Sequence, residues 1–283
     1  METMVMPLAE YVNGKIYSGI KTGFNDAFII NETKRAELVA KEPKSAEIIK
    51  PLVVGKDVQK WRIQQNDRWL IFTRRGINMN QYPAIMEHLD QWKEDLTSKK
   101  STSSLKGRKS KQYQWYEIQQ EMSYYQAFEK AKIIYSDIAR ESGFAFDTKN
   151  YYPANTVSFI AKNDLFLIAI LNSSIAWNYF KNSSSYLRGA LRFSHNVLGK
   201  LPIPTATEPE RKAIETLAGY ILYLSEQLKD IPSHGKKLME VADDKLMLSY
   251  FEQILDAVVM ELYLPNELHT QNKQFMRHLL HEN

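Results

Sequence analysis

The sequence predicts an α+β protein in which a mixed β-sheet body with packed helices is followed by a C-terminal antiparallel helical hairpin. Short runs of β-branched and aromatic residues, separated by turn residues, indicate strands before residue 205. Apolar residues at spacings of three and four indicate helices among those strands and after them. The 283 residues can bury a sizeable core. We predict two units, residues 1–205 and residues 206–283.

The strands are predicted from local composition, after a first segment, residues 1–14, that has no organised periodicity. The polar turn Lys21-Thr22-Gly23-Phe24-Asn25 separates two short apolar runs, and glycine and asparagine tolerate the positive φ of a tight turn. A second turn, Gly55-Lys56-Asp57, follows an apolar run. Residues 115–128 are rich in aromatic side chains, and their period leaves strand and helix both open. The predicted strands are residues 16–20, 27–30, 48–54, 69–72, 132–135, 143–146 and 156–161.

The helices of the body are predicted from their apolar stripes. A short helix begins at about residue 36 and ends before Pro43. Residues 82–97 carry apolar side chains at helical spacing, with Pro83 tolerated in the first turn. Asp164 is the predicted N-cap of a helix that runs to about residue 181. A polar loop, residues 182–192, is predicted to follow it.

The C-terminal unit is predicted to contain two helices. Pro202 and Pro204 force extended backbone at the end of the body. Thr207 and Glu210 have the spacing of a capping box at the start of the first helix, and Asp243 is the predicted cap of the second. The helix-breaking residues 231–235 lie between them, so the two helices are expected to form an antiparallel hairpin.

Charge is distributed unevenly along the chain. Residues 1–205 contain 29 Lys and Arg against 20 Asp and Glu, a net charge of +9, whereas residues 206–283 contain 8 against 13, a net charge of −5. Residues 98–114 contain no acidic residue, which predicts an exposed loop that cannot support a packed core. This loop is either solvated without a partner or a phosphate-contacting arm. Its cations are Lys99, Lys100, Lys106, Arg108, Lys109 and Lys111.

Composition excludes several classes of protein. The chain contains no cysteine, so disulfides and thiolate metal sites are excluded and a reducing cytoplasm is the expected location. No stretch approaches the roughly 18 to 20 apolar residues that span a bilayer. We therefore expect a cytoplasmic protein without a membrane partner.

Several motifs occur in the order found in one known family, over roughly residues 15 to 205. The central one is Ile48-Ile49 with Pro51-Leu52 and Gly55-Lys56-Asp57-Val58, and the others precede and follow it. They are Gly19-Ile20-Lys21-Thr22-Gly23-Phe24-Asn25-Asp26-Ala27-Phe28, Tyr82-Pro83-Ala84-Ile85 with His88-Leu89, Trp115-Tyr116-Glu117-Ile118, Lys132-Ile133-Ile134-Tyr135-Ser136-Asp137-Ile138, Ile170-Leu171-Asn172-Ser173, Leu191-Arg192-Phe193 and Leu201-Pro202-Ile203-Pro204. The chain thereby resembles the TaqI-like C-terminal specificity domain, the target-recognition module of adenine-N6 DNA methyltransferases and fused type II restriction-modification enzymes.

The resemblance implies double-stranded DNA as a partner, together with a methyltransferase domain of the same polypeptide. It implies that the turn of residues 21–25 and the loop of residues 182–192 face DNA, although a plain β-turn explains the first equally well. Arginine matches the O6 and N7 atoms of guanine, which favours the two arginines of the loop. The DNA-contacting candidates are Lys21, Thr22, Asn25, Lys56, Lys99, Lys100, Lys106, Arg108, Lys109, Lys111, Arg188 and Arg192.

Catalytic motifs are absent from the sequence. Adjacent prolines and Gly-x-Gly, which an adenine-N6 methyltransferase needs, do not occur, and neither does the Pro-Asp of a common nuclease motif. We therefore expect no catalytic residue, no metal site at His278 and His281, and no cofactor in this chain, with S-adenosylmethionine bound by the parent methyltransferase. Two rival hypotheses remain: an interaction scaffold docked through the helical hairpin, and a nuclease with an unfamiliar site.

Overall fold

The computed structural model describes residues 5–64, 66–97, 113–228 and 238–281. The predicted α+β class with a C-terminal helical hairpin is confirmed. Within the described residues the strands are β1 Val5–Pro7, β2 Ile16–Ser18, β3 Ile29–Ile30, β4 Ile49–Val53, β5 Trp69–Ile71, β6 Lys132–Ser136, β7 Ile138–Ala139, β8 Phe144–Asp147, β9 Tyr152–Pro153, β10 Val157–Ile160, β11 Ser185–Leu187, β12 Ala190–Arg192 and β13 Pro202–Pro204. The α-helices are α1 Leu8–Tyr11, α2 Asn25–Phe28, α3 Glu32–Lys41, α4 Pro83–Asp90, α5 Lys93–Leu96, α6 Leu165–Leu171, α7 Ser174–Ser183, α8 His195–Leu198, α9 Glu208–Gln227, α10 Leu238–Tyr263, α11 Pro265–His269 and α12 Phe275–His281.

The strands form four small sheets. The central one is antiparallel, in the order β2-β10-β6-β8, and a second has the order β3-β5-β4-β9 with β4 and β9 parallel. A three-stranded sheet has the order β11-β12-β7, and β1 pairs with β13. In the central sheet Ser158 lies opposite Ser18 on one side and Tyr135 on the other. One end of this sheet therefore brings together the end of β2, the start of β10 and the end of β6.

Two hydrophobic clusters hold the fold together. The first surrounds α6, whose residues from Phe166 to Leu171 are all buried, as expected for a helix that is apolar on every side. The second lies beneath β4 and β5 and contains many aromatic side chains, among them Phe28, Phe128 and Tyr152.

The helices α9 and α10 pack against each other and against α6, so their apolar side chains share the first cluster. They are antiparallel: the ring of Tyr220 stacks on that of Phe251, and Tyr263 donates to the Pro202 carbonyl just before α9 begins. Trp61, whose backbone has a φ of 71°, donates its indole N–H to Glu252 of α10. The division at residue 205 stays a prediction, since the helices after it share a core with the body.

The prediction that Asp164 caps a helix is confirmed, since it is the N-cap of α6. Its Oδ1 accepts from the Leu167 backbone N–H at 2.9 Å and from Arg211 Nη2 of α9 at 2.9 Å. Its Oδ2 accepts from the Tyr11 hydroxyl at 2.7 Å. Burial raises the pKa of Tyr11 to about 12. This carboxylate therefore joins the start of the chain, the buried helix α6 and the helical hairpin.

Several local predictions are wrong, each for a physical reason. Residues 5–14 of the first segment are ordered, because residues 5–7 pair with β13 and Leu8 is buried. Residues 25–28 form the helical turn α2, so only residues 29–30 form the strand predicted there. The helix predicted after Asp164 is broken, because the Ser173 side chain caps a new helix, α7. Asp243 lies inside α10, which begins earlier, at residue 238.

His88 gives the fold a predicted dependence on pH. Its Nε2 lies 3.1 Å from the Ala27 carbonyl oxygen in the second cluster, and burial lowers the pKa of His88 below its usual value. The unfolded chain therefore binds a proton more readily, so the free energy of unfolding should fall as pH falls below about 6.5. His88→Gln keeps a donor for Ala27 but does not titrate. Urea unfolding at several pH values should show a shallower loss for this variant, and equal slopes would contradict the prediction.

Candidate nucleic-acid interface

The end of the central sheet where β2, β10 and β6 meet carries a cluster of charged and polar side chains. We call it the sheet-end cluster: Lys21, Asp137, Ser158, Arg192 and His195. The buried Ser158 donates its hydroxyl to Asp137 Oδ1 at 2.6 Å. His195 Nε2 lies 3.3 Å from Ser158 Oγ, at the start of α8. Segments far apart in sequence thus converge on one end of the sheet.

The carboxyl group of Asp137 is the electrostatic centre of this cluster. Burial raises the pKa of Asp137, while the Ser158 hydrogen bond and the charges of His195, Arg192 and Lys21 oppose that rise. These cations are therefore close enough to act on the carboxylate. Among the described residues, however, none of them lies within ion-pair distance of it.

The turn of residues 21–25 is held rigidly beside the cluster. The buried Thr22 donates its hydroxyl to Asn25 Oδ1 at 2.7 Å, and Gly23 has a φ of 86°. The Thr22 carbonyl accepts from the Gln119 N–H at 2.9 Å. Thr22 therefore shapes the turn from within, whereas the side chains of Lys21 and Asn25 are exposed. Contact of all three with DNA stays a prediction.

Lys56 is presented at the same end of the sheet. It lies in a 3-10 turn after β4, where the Gly55 N–H donates to Thr156 Oγ1 at 3.0 Å. A Cβ at Gly55 would lie 2.7 Å from Ser136 Oγ and 3.2 Å from the Thr156 carbonyl oxygen, so glycine lets the turn approach β6 without displacing these groups. The side chain of Lys56 is exposed, and Asp57 is held by Arg68 within the turn.

The predicted polar loop of residues 182–192 is instead a β-hairpin. Arg188 and Gly189 have φ values of 50° and 77°, and Leu187 pairs with Ala190, which makes a two-residue turn with both residues left-handed. The strand β12 also pairs with β7, and the Phe193 N–H donates to the Asp137 carbonyl at 2.9 Å. This register attaches the hairpin directly to the sheet-end cluster. Arg188 lies at its tip and Arg192 at its base.

The cations at this surface differ from many others in the molecule. Elsewhere lysines and arginines form ion pairs, such as Lys41 with Glu87 and Lys50 with Glu129. Across the part of the chain that the structure describes, Lys21, Lys56, Arg188 and Arg192 have no ion-pair partner. Unpaired cations grouped on one surface are what a polyanionic ligand requires.

Six predicted DNA-contacting residues cannot be compared with the structure, and three residues of the sheet-end cluster were not predicted from the sequence. The candidates Lys99, Lys100, Lys106, Arg108, Lys109 and Lys111 lie outside the described residues. The sequence reasoning missed Asp137, Ser158 and His195 as members of a site. Only Asp137 carried a usable signal, since it lies within one of the family motifs.

The described residues contain neither a cluster of metal-ligating side chains nor a helix that could span a membrane. Among the side chains that the structure describes, in residues 5–64, 66–97, 113–228 and 243–280, no three His, Asp or Glu residues are grouped as a metal site would require. Over the same ranges, no helix combines the length and hydropathy needed to cross a membrane.

The chain is similar to proteins of known sequence and of known structure. The Type II methyltransferase M.MjaIV of Methanocaldococcus jannaschii is 23% identical over 234 residues, which cover 79% of this chain and 76% of that protein. The fold is similar to that of the Type IIL restriction-modification enzyme MmeI, solved in complex with DNA, with a TM-score of 0.65 and 17% identity. That match covers 98% of this chain but only 35% of the MmeI chain.

A family model matches the body of the chain as well. It covers residues 50–203, from β4 through β13, and so includes the sheet-end cluster apart from Lys21, and the whole hairpin. The match exceeds half of the chain and agrees with the order of motifs in the sequence. The chain belongs to the TaqI-like C-terminal specificity domain family.

Proposed function

We propose that this chain binds duplex DNA at the sheet-end cluster and the β11–β12 hairpin. It would thereby position a target for an adenine-N6 methyltransferase domain. One observation carries the proposal: in a member of a specificity-domain family, four exposed cations without ion-pair partners lie at one end of the central sheet and on the β11–β12 hairpin attached there. Phosphates would be held by Lys21 and Lys56, and bases would be read by the hairpin. The basic segment of residues 98–114 would add phosphate contacts without sequence preference.

In this proposal the catalytic step belongs to the methyltransferase domain of the same polypeptide. That domain would rotate the adenine out of the stack, while this chain supplies affinity and choice of site. S-adenosylmethionine would be bound by that methyltransferase domain. Gly55 follows the parallel strand β4, where a cofactor could approach the backbone, but Ser136 and Thr156 already fill the space beside it. No step is therefore assigned to the cofactor in this chain.

The scaffold hypothesis has one observation in its favour. The outer face of the helical hairpin exposes the large apolar side chains Tyr220, Tyr223, Leu246, Met247 and Tyr250, with exposed fractions between 46% and 69%. Such a face is suited to contact another domain. Docking there is compatible with DNA binding at the other surface. A pure scaffold, however, would bind DNA weakly or not at all.

Salt dependence of DNA binding tests the proposal. The chain should bind labelled duplex DNA with an affinity that falls steeply between about 50 and 300 mM salt, because bound cations release counterions from the phosphates. Lys21→Ala/Lys56→Ala should lower the slope of log affinity against log salt by about two, one for each cation removed. Fluorescence anisotropy titrations at a series of salt concentrations measure this slope.

The matched control is Lys273→Ala/Arg277→Ala, which removes the same charge from the C-terminal residues that follow α11. It should leave the slope unchanged. Equal effects of the two double variants would mean that DNA responds only to net charge, and the proposed interface would be wrong. An affinity that is the same at every salt concentration would favour the scaffold.

A further inference from the structure

We propose that one face of the β11–β12 hairpin reads a thymine next to a guanine in the major groove. The thymine would be recognised through its 5-methyl group. This inference rests on the proposed function and adds the chemistry of the base that is read. Leu187 and Ile138 would contact the methyl group. Arg188 would donate to the guanine beside it.

The strand register places these side chains on one face. Side chains on opposite strands share a face when they are directly paired, and they alternate along each strand. Leu187 pairs with Ala190, and Arg192, two residues further along β12, pairs with Ile138. These residues therefore point to the same side, while Tyr186 and Leu191 point to the other.

The face contains a cleft shaped by that alternation. Ile138, Arg140, Leu187, Arg188 and Ala190 line a space of about 540 Å³. Ala190 is buried and has only a methyl side chain, so it forms a floor between the larger neighbours. Leu187 and Ile138 each remain 45% exposed at the walls. An apolar cleft open to solvent, on a ribbon that carries arginines, is thus available to a ligand.

The chemistry of the cleft matches one pair of bases in DNA. A β-ribbon fits the major groove, where the thymine methyl is the apolar feature and guanine presents O6 and N7 to an arginine fork. Arg140 and Arg188 have no ion-pair partner among the residues described, so their guanidinium groups need not break a contact to bind. Charge favours a polyanion over an apolar protein surface as the occupant.

The test uses bases that lack single atoms or groups. Duplexes that bind the full chain are first selected from a random pool, and each thymine of a selected duplex is then replaced by deoxyuridine, which lacks only the methyl group. At one thymine we expect affinity to fall about threefold to tenfold, as for loss of one buried methyl. Replacement of the adjacent guanine by 7-deazaguanine should also weaken binding, since it removes the N7 acceptor.

Variants of β7 and β11 assign the effect to the cleft. Leu187→Ala should reduce the difference in affinity between the thymine and deoxyuridine duplexes, and Leu187→Ala/Ile138→Ala should abolish it, whereas Tyr186→Ala, on the opposite face, should keep the difference. All three side chains are exposed, so circular dichroism should show the variants folded. If deoxyuridine never weakens binding to a selected duplex, the methyl inference fails and the proposed function stands. If the full chain selects no duplex, both fail.

Discussion

Replacing Asp147 by alanine is expected to lower the free energy of unfolding by about 3–5 kcal/mol, because it leaves the ammonium group of Lys132 buried without its counterion. The two side chains are fully buried and lie directly opposite each other on β6 and β8. Asp147 also accepts hydrogen bonds from the backbone N–H groups of Lys149 and Tyr151. Burial lowers the pKa of Lys132, and Asp147 opposes that fall.

A second substitution distinguishes the effect of the unpaired Lys132 charge from a general loss of packing. Lys132→Met in the Asp147→Ala background should recover part of the lost stability, since methionine needs no partner, although the two N–H groups stay unsatisfied. Urea unfolding of the wild-type protein, the two single variants Asp147→Ala and Lys132→Met, and the double variant gives the coupling free energy between the two side chains. Additive effects of the two substitutions would show that the ion pair does not stabilise the central sheet.

Neutralising the basic segment is expected to have the largest effect on DNA binding. Substitution of all six cations between Lys99 and Lys111 by glutamine should lower affinity for duplex DNA about a hundredfold at 150 mM salt and reduce the salt slope by about three. The sequence preference should stay unchanged, because phosphate contacts carry little base information. Competition titrations with specific and unrelated duplexes measure both quantities.

The outcome of that experiment separates the segment from the hairpin. A variant that loses affinity equally for every duplex supports a phosphate-contacting role. A variant that instead loses only the preference for its selected duplex would place base reading in the segment, against the proposal. Unchanged affinity would leave the segment as a solvated loop, the alternative that its composition also allows.

Much of the fold could be predicted because it depends on local sequence. The strands β4 and β5, the glycine turn after β4 and the Asp164 cap all follow from residues within a few positions of one another. The capping box of Thr207 and Glu210 is also confirmed, with the Thr207 N–H donating to Glu210 at 2.7 Å. Interactions of this range are what periodicity and capping rules describe.

The errors fall where distant contacts decide the local structure. Residues 5–7 are a strand only because residues 202–204 lie beside them. The β11–β12 turn uses Arg-Gly, which is a weaker turn signal than Asn-Gly, and its pairing with β7 makes up the difference. The sheet-end cluster was only partly predictable, since His195 and Ser158 meet Asp137 through the order of the strands. That order is a property of the whole sheet.

The β11–β12 hairpin is fixed to the body at its base and is exposed at its tip. Every residue from 185 to 189 is exposed, whereas Leu191 and Phe193 are buried and fix the base of the ribbon. The side chains of residues 185–189 can therefore be exchanged without disturbing either hydrophobic cluster. Under the proposed function, grafting the corresponding residues of another family member onto this base is expected to change the DNA sequence that the protein selects.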